Sequence, residues 1–124
     1  KPGDLMSDLR TNVGGALASV QQVLPAMRAA KRGTIIFTGG GFALEPHPQF
    51  ASVGIGKAAL RNLALVLAKE LAPEGIHVAT VTIEGMVKRG TAFDPEQIAQ
   101  EFVRLFRQPA DSFEAETNFK GTAS

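Results

Sequence analysis

The spacing of apolar residues in the first quarter of the chain predicts a long amphipathic helix. Between residues 5 and 27, leucine, valine and methionine recur at steps of three and four, which is the period of an α-helix with one apolar face. Asp4 or Ser7 can serve as its N-cap, and a glycine after a basic residue ends it near Arg32-Gly33. At a rise of 1.5 Å per residue, about 25 residues span on the order of 40 Å, enough to cross a whole sheet.

The next elements form a strand-helix-strand unit. Residues 34–38 are an apolar, β-branched run, typical of a central strand buried on both faces. A helix with apolar residues on nearly every side follows over residues 52–72, and residues 76–83 read as a second strand. Strands joined in this way are parallel, with a right-handed crossover.

A third helix and a last strand complete the pattern. Asp94-Pro95 is a strong helix start, with aspartate as N-cap and proline at the first helical position, and Gln97 follows three residues after the cap. Residues 114–119 are a plausible short strand. The fold class is therefore α/β, with three parallel strands and long helices.

Composition limits the classes of function. The 124 residues carry 44% hydrophobic side chains and a formal net charge of +1, which fits one globular domain and shows no basic face for nucleic acid. There is no cysteine, and the sequence shows no signal peptide and no apolar run of about 18 residues. We therefore expect no disulfide, no membrane span and a cytoplasmic location.

Two strand ends carry glycine. Gly39-Gly40-Gly41 follows the first predicted strand, and Gly85 follows the second one closely. Ligands of open α/β sheets bind beyond the carboxyl ends of parallel strands, and glycine lets a flat ligand approach the backbone. The sequence places the candidate site at this rim.

Common motifs of catalysis and phosphate binding are absent from the sequence. Gly54-Ile55-Gly56-Lys57 resembles part of a Walker A loop, but Ala51 and Ala58 stand where that motif needs Gly and Ser or Thr. The chain contains no GxGxxG dinucleotide fingerprint and no GxSxG nucleophile elbow. Its two histidines lie far apart and its carboxylates are not clustered, so no metal site is expected.

Several blocks of residues resemble the second half of the short-chain dehydrogenase/reductase family. The resemblance covers residues 4–120. Its blocks are Asn12-Val13, Gly33–Phe37, Lys57–Leu60, Gly75–Val81, and the pair Gly85 and Val87. It implies the C-terminal half of a Rossmann-like doubly wound sheet across residues 1–124, and an oxidoreductase that moves a hydride between NAD or NADP and a small carbonyl or alcohol.

The family resemblance also implies roles for individual residues and an assembly. Lys57 and Asn12 would stand at catalytic positions of the family, with Lys57 binding the nicotinamide ribose and Asn12 bonding backbone and water inside the sheet. Gly85 and Val87 would contact the cofactor. Family members pair two long helices across a two-fold axis, so we expect a homodimer or tetramer through residues 7–31 and 52–72.

The sequence departs from the family at the positions that carry the chemistry. Val53 stands four residues before Lys57, where the family has its catalytic tyrosine, and Gly40 stands at the position of its serine. Glu84 and Arg89 replace a proline and a threonine. His47, in the loop that would face a substrate, is a candidate replacement acid, the alternative being a solvated loop histidine.

Three functions remain open from sequence: a divergent oxidoreductase, an inactive relative that binds a ligand without turnover, and a structural subunit. In the family's strand order, the strand at residues 34–38 pairs with a preceding strand, and left alone it would form an apolar open edge. We expect the rest of the sheet to exist, either in the same chain or in another copy.

Overall fold

The fold is a three-stranded parallel sheet flanked by helices on both faces. A computed structural model describes residues 1–122. The strands are β1 (Gly33–Gly40), β2 (Ile76–Ile83) and β3 (Glu116–Phe119), in the order β1-β2-β3. Both pairings are parallel, and Gly33 of β1 lies opposite Ile76 of β2. The predicted fold class and strand direction are confirmed, and β1 extends two residues further into the glycine run than expected.

The amino-terminal helix begins earlier and is less regular than the sequence predicted. Helix α1 (Pro2–Leu9) has Lys1 at its N-cap, so neither Asp4 nor Ser7 caps it. A π-helical turn over Arg10–Gly14 then leads directly into α2 (Gly15–Ala30), whose C-cap Lys31 is left-handed. Apolar periodicity detects the whole helix but not this turn, because a single extra residue per turn barely disturbs the apolar face.

The two later helices match their predicted positions closely. Helix α3 spans Ala51–Leu71 and α4 spans Pro95–Phe106. The Asp94 carboxylate accepts hydrogen bonds from the backbone N–H of Glu96 at 2.9 Å and of Gly90 at 2.7 Å. These bonds confirm the predicted N-cap and lower the pKa of Asp94, the bond from Gly90 contributing most.

Two apolar clusters lie on opposite faces of the sheet. One joins α2 and α3 to β1 and β2, with Val20, Phe37, Leu71 and Val78 among its buried side chains. The other joins α4 to the opposite face of β2 through Val81, Ile98 and Leu105, among others. Because side chains alternate across a strand, β2 supplies both clusters, and all eight of its residues are buried.

Helix α3 lies in a stretch that meets the length and hydropathy criteria of a membrane span, although no such span was expected from the sequence. The stretch Pro48–Glu74 is long and apolar enough to cross a membrane by length and composition alone, with a mean hydropathy of 1.4 over its most apolar window. Lys57 and Arg61 interrupt the apolar run, which is why it escapes a search for uninterrupted segments. A mostly buried core helix passes the same test; α3 packs against β1 and β2 on one side, and 22% of its most apolar window is buried within the chain.

Candidate functional site

The carboxyl ends of β1 and β2 meet at a rim that is bare of side chains where β1 ends. A Cβ added to Gly39 would lie 2.9 Å from Thr80 Oγ1, and one added to Gly41 would lie 3.2 Å from the Cα of Glu84. Both distances are shorter than ordinary contacts, so a side chain at Gly39 would force the neighbouring strand to shift, and one at Gly41 would need a small displacement of Glu84. The glycine run lies at this rim as the sequence predicted, but it is packed rather than open: Gly39 is buried, and Gly40 and Gly41 are half-buried against neighbouring residues.

Lys57 of α3 packs against the glycine run at the end of β1. Its Nζ donates a hydrogen bond to the carbonyl oxygen of Thr38 at 3.1 Å. Its methylene stem packs on Gly40, where an added Cβ would lie 3.6 Å from the lysine Cγ, Cδ and Cε atoms. One bond to a carbonyl leaves two of the three ammonium protons for a ligand, so Lys57 presents a positive charge at the end of β1.

Asn12 lies close to Lys57, within the π-helical turn. Both side chains line a small cavity of about 240 Å³, together with Asp8, Val53, Gly56 and Leu60. Ser52 Oγ donates to Asp8 Oδ2 at 2.5 Å beside it, which ties α3 to α1. The structure thus brings together Asn12, Lys57 and Val53, the position where the family has its tyrosine.

His47 lies in a separate place. It lines an apolar cavity of about 410 Å³ on the other side of α3, next to Phe42 and Phe50, and that cavity shares no lining residue with the one beside Lys57. Its Nδ1 accepts a hydrogen bond from the backbone N–H of Gln49 at 3.2 Å, and its ring centroid lies 5.3 Å from that of Phe50. Nothing in this arrangement brings the imidazole to the Lys57 ammonium.

Gly85 and Val87 follow β2 at the same rim. Gly85 is covered by the ring of Phe93, which would collide with any Cβ at this position. Val87 is 49% exposed and, with Thr38, lines an apolar groove of about 560 Å³ beside α4. Thr38 therefore connects this groove to Lys57, because its carbonyl accepts the lysine's hydrogen bond.

A polar network that the sequence analysis missed lies beneath α3, one helical turn after Lys57. The Arg61 guanidinium donates two hydrogen bonds to the Glu116 carboxylate, at 2.7 and 2.8 Å, and Thr82 Oγ1 donates a third at 2.8 Å. The bond from Arg61 lowers the pKa of Glu116 against the opposing effect of burial. No local signal reveals this pair, because its members are 55 residues apart.

The sequence matches the profile of the short chain dehydrogenase family over residues 3–101, and the chain belongs to this family. Among curated relatives, oxidoreductase asL5 of Sarocladium schorii is 32% identical over 79% of this chain and 38% of its own length. An uncharacterised oxidoreductase of Listeria monocytogenes, Lmo0432, is 42% identical over 58% of this chain and 29% of its own length. The chain therefore spans well under half the length of these relatives.

Solved structures of short-chain dehydrogenases and oxidoreductases share the fold of this chain. A metagenomic short-chain oxidoreductase in complex with NADP superposes with a TM-score of 0.85 at 28% identity, covering 99% of this chain and 54% of the other. A short-chain dehydrogenase from Rhodopseudomonas palustris superposes with a TM-score of 0.82 at 26% identity, covering 95% of this chain and 52% of the other. The chain has the fold of about half of such a domain.

Proposed function

We propose that this chain forms the nicotinamide side of the active site of an NAD- or NADP-dependent oxidoreductase acting on a small carbonyl or alcohol. The observation that carries the proposal is the Lys57 ammonium, held by the Thr38 carbonyl over the bare backbone of Gly40. Membership of the short chain dehydrogenase family and the NADP complex of a structural relative support it.

The residues at the rim fit a nicotinamide nucleoside. Gly40 lets the Lys57 stem pack directly on the backbone, and the free protons of Lys57 Nζ can donate to ribose hydroxyls. When bound, the nicotinamide supplies hydride transfer. Val87 and the apolar groove beside α4 would exclude water from one side of the ring, while the π-helical turn holds Asn12 next to Lys57.

Replacement of Lys57 tests this function. We expect Lys57→Ala to weaken NADPH binding about tenfold, since it removes a charged hydrogen-bond donor. Lys69→Ala, at an exposed position of the same helix, is the matched control and should bind NADPH normally. Binding is followed by the fluorescence of NADPH itself, because the chain has no tryptophan or tyrosine. Equal affinity of the two variants would remove Lys57 from the site.

A second candidate function is ligand binding without turnover. Val53 lines the cavity beside Lys57, and Gly40 packs against the lysine stem, so the positions at which the family has its tyrosine and serine carry no exchangeable side-chain proton. Loss of a general acid lowers a rate by roughly 10² to 10⁴. This candidate predicts cofactor binding but no measurable oxidation of NADPH with a panel of aldehydes and ketones.

Restoring the missing groups separates the two candidates. Val53 is 47% exposed, and a Cβ on Gly40 would make only ordinary contacts at 3.6 Å, so both positions can accept larger side chains. If the unaltered chain turns over, Val53→Tyr with Gly40→Ser should change its rate only modestly. If it is inactive, the double variant should gain NADPH oxidation, and the same change in a Lys57→Ala background should not.

We further propose association through residues 7–31 and 52–72. Leu17 and Val23 of α2 and Val66 of α3 are 38 to 52% exposed, more apolar surface than two helices of an isolated domain need to show. Val66→Glu should convert a dimer or tetramer to a smaller species in light scattering. Met86→Glu, at a residue 84% exposed outside these helices, should leave the mass unchanged.

A further inference from the structure

Glu116 of β3 accepts hydrogen bonds from two elements that border the candidate site. Its carboxylate accepts two bonds from the Arg61 guanidinium on α3, at 2.7 and 2.8 Å, and one from the Thr82 hydroxyl on β2 at 2.8 Å. A guanidinium and a carboxylate joined by two bonds share one plane, so this contact fixes direction as well as distance. Glu116 therefore holds both α3 and β2 in a defined position.

Thr82 connects Glu116 to the end of β1. It lies directly opposite Gly39 in the parallel pairing, and a Cβ added to Gly39 would lie 3.2 Å from Thr82 Oγ1. The residue before this glycine, Thr38, supplies the carbonyl oxygen that accepts the Lys57 hydrogen bond at 3.1 Å. The hydroxyl that Glu116 holds therefore packs against the backbone next to the acceptor of the Lys57 ammonium.

Arg61 connects Glu116 to Lys57 by a second route. The two basic residues are four positions apart on α3, so they are neighbours on one face of the helix, about 6 Å apart along its axis. The buried residues of α3 are all apolar or glycine, and apolar burial has little directional preference. Lys57 itself has no ion pair within residues 1–122. The contact of Arg61 with Glu116 is thus a directional contact that fixes α3 one turn from Lys57.

We propose that Glu116 is a positioning residue, which holds α3 and β2 so that the Lys57 ammonium lies where it can bind the ribose of a nicotinamide nucleotide. The proposal rests on the function proposed above, because that function supplies the nucleotide. Glu116 does not line the cavity beside Lys57, so it acts through the two contacts just described. Loss of its carboxylate lets α3 shift, and a displacement of about 1 Å is enough to weaken a positioned contact with a ligand.

A second ion pair allows a matched comparison. Glu116→Gln removes the charge that Arg61 binds, and Glu114→Gln removes the charge that Arg104 of α4 binds at 2.7 Å. When NADPH binding is followed by its fluorescence well below the melting temperature of each variant, Glu116→Gln should weaken binding about fivefold. Glu114→Gln should leave it unchanged. In a Lys57→Ala background, Glu116→Gln should have no further effect, because the side chain that it positions is absent.

NMR of the lysine side chains tests the positioning without any nucleotide. The Cε methylene signal of Lys57, assigned through its loss in Lys57→Arg, reports the surroundings of the ammonium group. We expect this signal to shift in Glu116→Gln and to stay in place in Glu114→Gln. An unchanged signal in both variants would overturn the proposal.

The outcomes separate this proposal from the proposed function. If Lys57→Ala weakens NADPH binding but Glu116→Gln does not, the oxidoreductase function stands and the positioning role is refuted. If the Lys57 signal shifts in Glu116→Gln but NADPH binding does not depend on Lys57, the positioning of the ammonium is supported and the nucleotide function is refuted. Equal effects of Glu116→Gln and Glu114→Gln, or a further loss in the Lys57→Ala background, would show a general effect on the fold and would overturn the positioning role.

Discussion

Strands β1 and β2 are neighbours of equal length and similar apolar character, yet they are buried to very different extents. All eight residues of β2 are buried, whereas β1 has two buried residues, Phe37 and Gly39. β2 is paired on both sides, with β1 and with β3, whereas within residues 1–122 β1 is paired with β2 alone. An apolar strand in the sequence therefore indicates that its side chains should be buried. The neighbouring strands and helices decide how much of each side chain is actually buried.

The candidate site lies where the two strands end together. β1 contributes Gly40 and the Thr38 carbonyl, both in contact with Lys57, and Gly85 and Val87 follow directly after β2. The buried strand β2 therefore fixes the position of β1 through their parallel pairing, in which Gly40 lies opposite Ile83. The four predictions below test this asymmetry, beginning with the largest expected effect.

The same substitution on each strand compares their contributions directly. Ile76→Ala on β2 removes a side chain that is 0% exposed, and we expect it to lower the free energy of unfolding by about 2 to 5 kcal/mol. Ile35→Ala on β1, at a half-buried position, should cost about half as much. Urea denaturation measures both. Equal losses would show that β1 is as well packed as β2.

The ion pair between Arg61 and Glu116 joins α3 to β3, with Thr82 of β2 as a second donor, and β1 has no ion pair of this kind within residues 1–122. The Glu116 side chain is 16% exposed and that of Arg61 34%. We expect Glu116→Ala to lower the free energy of unfolding by about 1 to 3 kcal/mol, because it leaves Arg61 and Thr82 without their acceptor. A double-mutant cycle with Arg61→Ala should return a coupling of about 1 kcal/mol. A coupling free energy near zero would show that the ion pair does not stabilise the folded state.

Acid should weaken the sheet on the β3 side first. The hydrogen bond from Arg61 places the pKa of Glu116 below its ordinary value of 4.5, and bonding to Arg104 does the same for the pKa of Glu114. A carboxyl whose pKa is lower in the folded state adds stability above its unfolded pKa and loses it as the pH falls through the folded value. Stability should therefore decline below about pH 4.5, and Glu116→Gln should make that decline shallower in urea titrations at pH 3 to 6.

The smallest effect is expected from a charge at the edge of β1. Thr34→Lys should change the free energy of unfolding by no more than about 0.5 kcal/mol, yet it should reduce self-association, since an edge lysine disfavours pairing with another strand. Sedimentation at several concentrations measures the association. Association that is unchanged by the lysine would mean that the edge of β1 is not the surface through which copies meet.

Much of the fold could be predicted from local sequence. The bounds of β2 and the N-cap Asp94 follow from β-branched residues and from one aspartate before a proline, both of which are short-range signals. The long apolar period revealed the amino-terminal helix but not its π-helical turn, since one inserted residue hardly alters the apolar face. Lys57 was found through its segment's resemblance to a family.

By itself, the sequence determined the elements of this protein, the rim of the sheet on which glycines gather, and the family to which it belongs. Tertiary structure alone decided which side chains meet there: Lys57 with the Thr38 carbonyl, Glu84 over Gly41, and His47 apart from both. Element formation depends on residues a few positions apart. The site depends on the register between strands and on the face of α3 that packs on them, and neither is encoded in any single stretch of the chain.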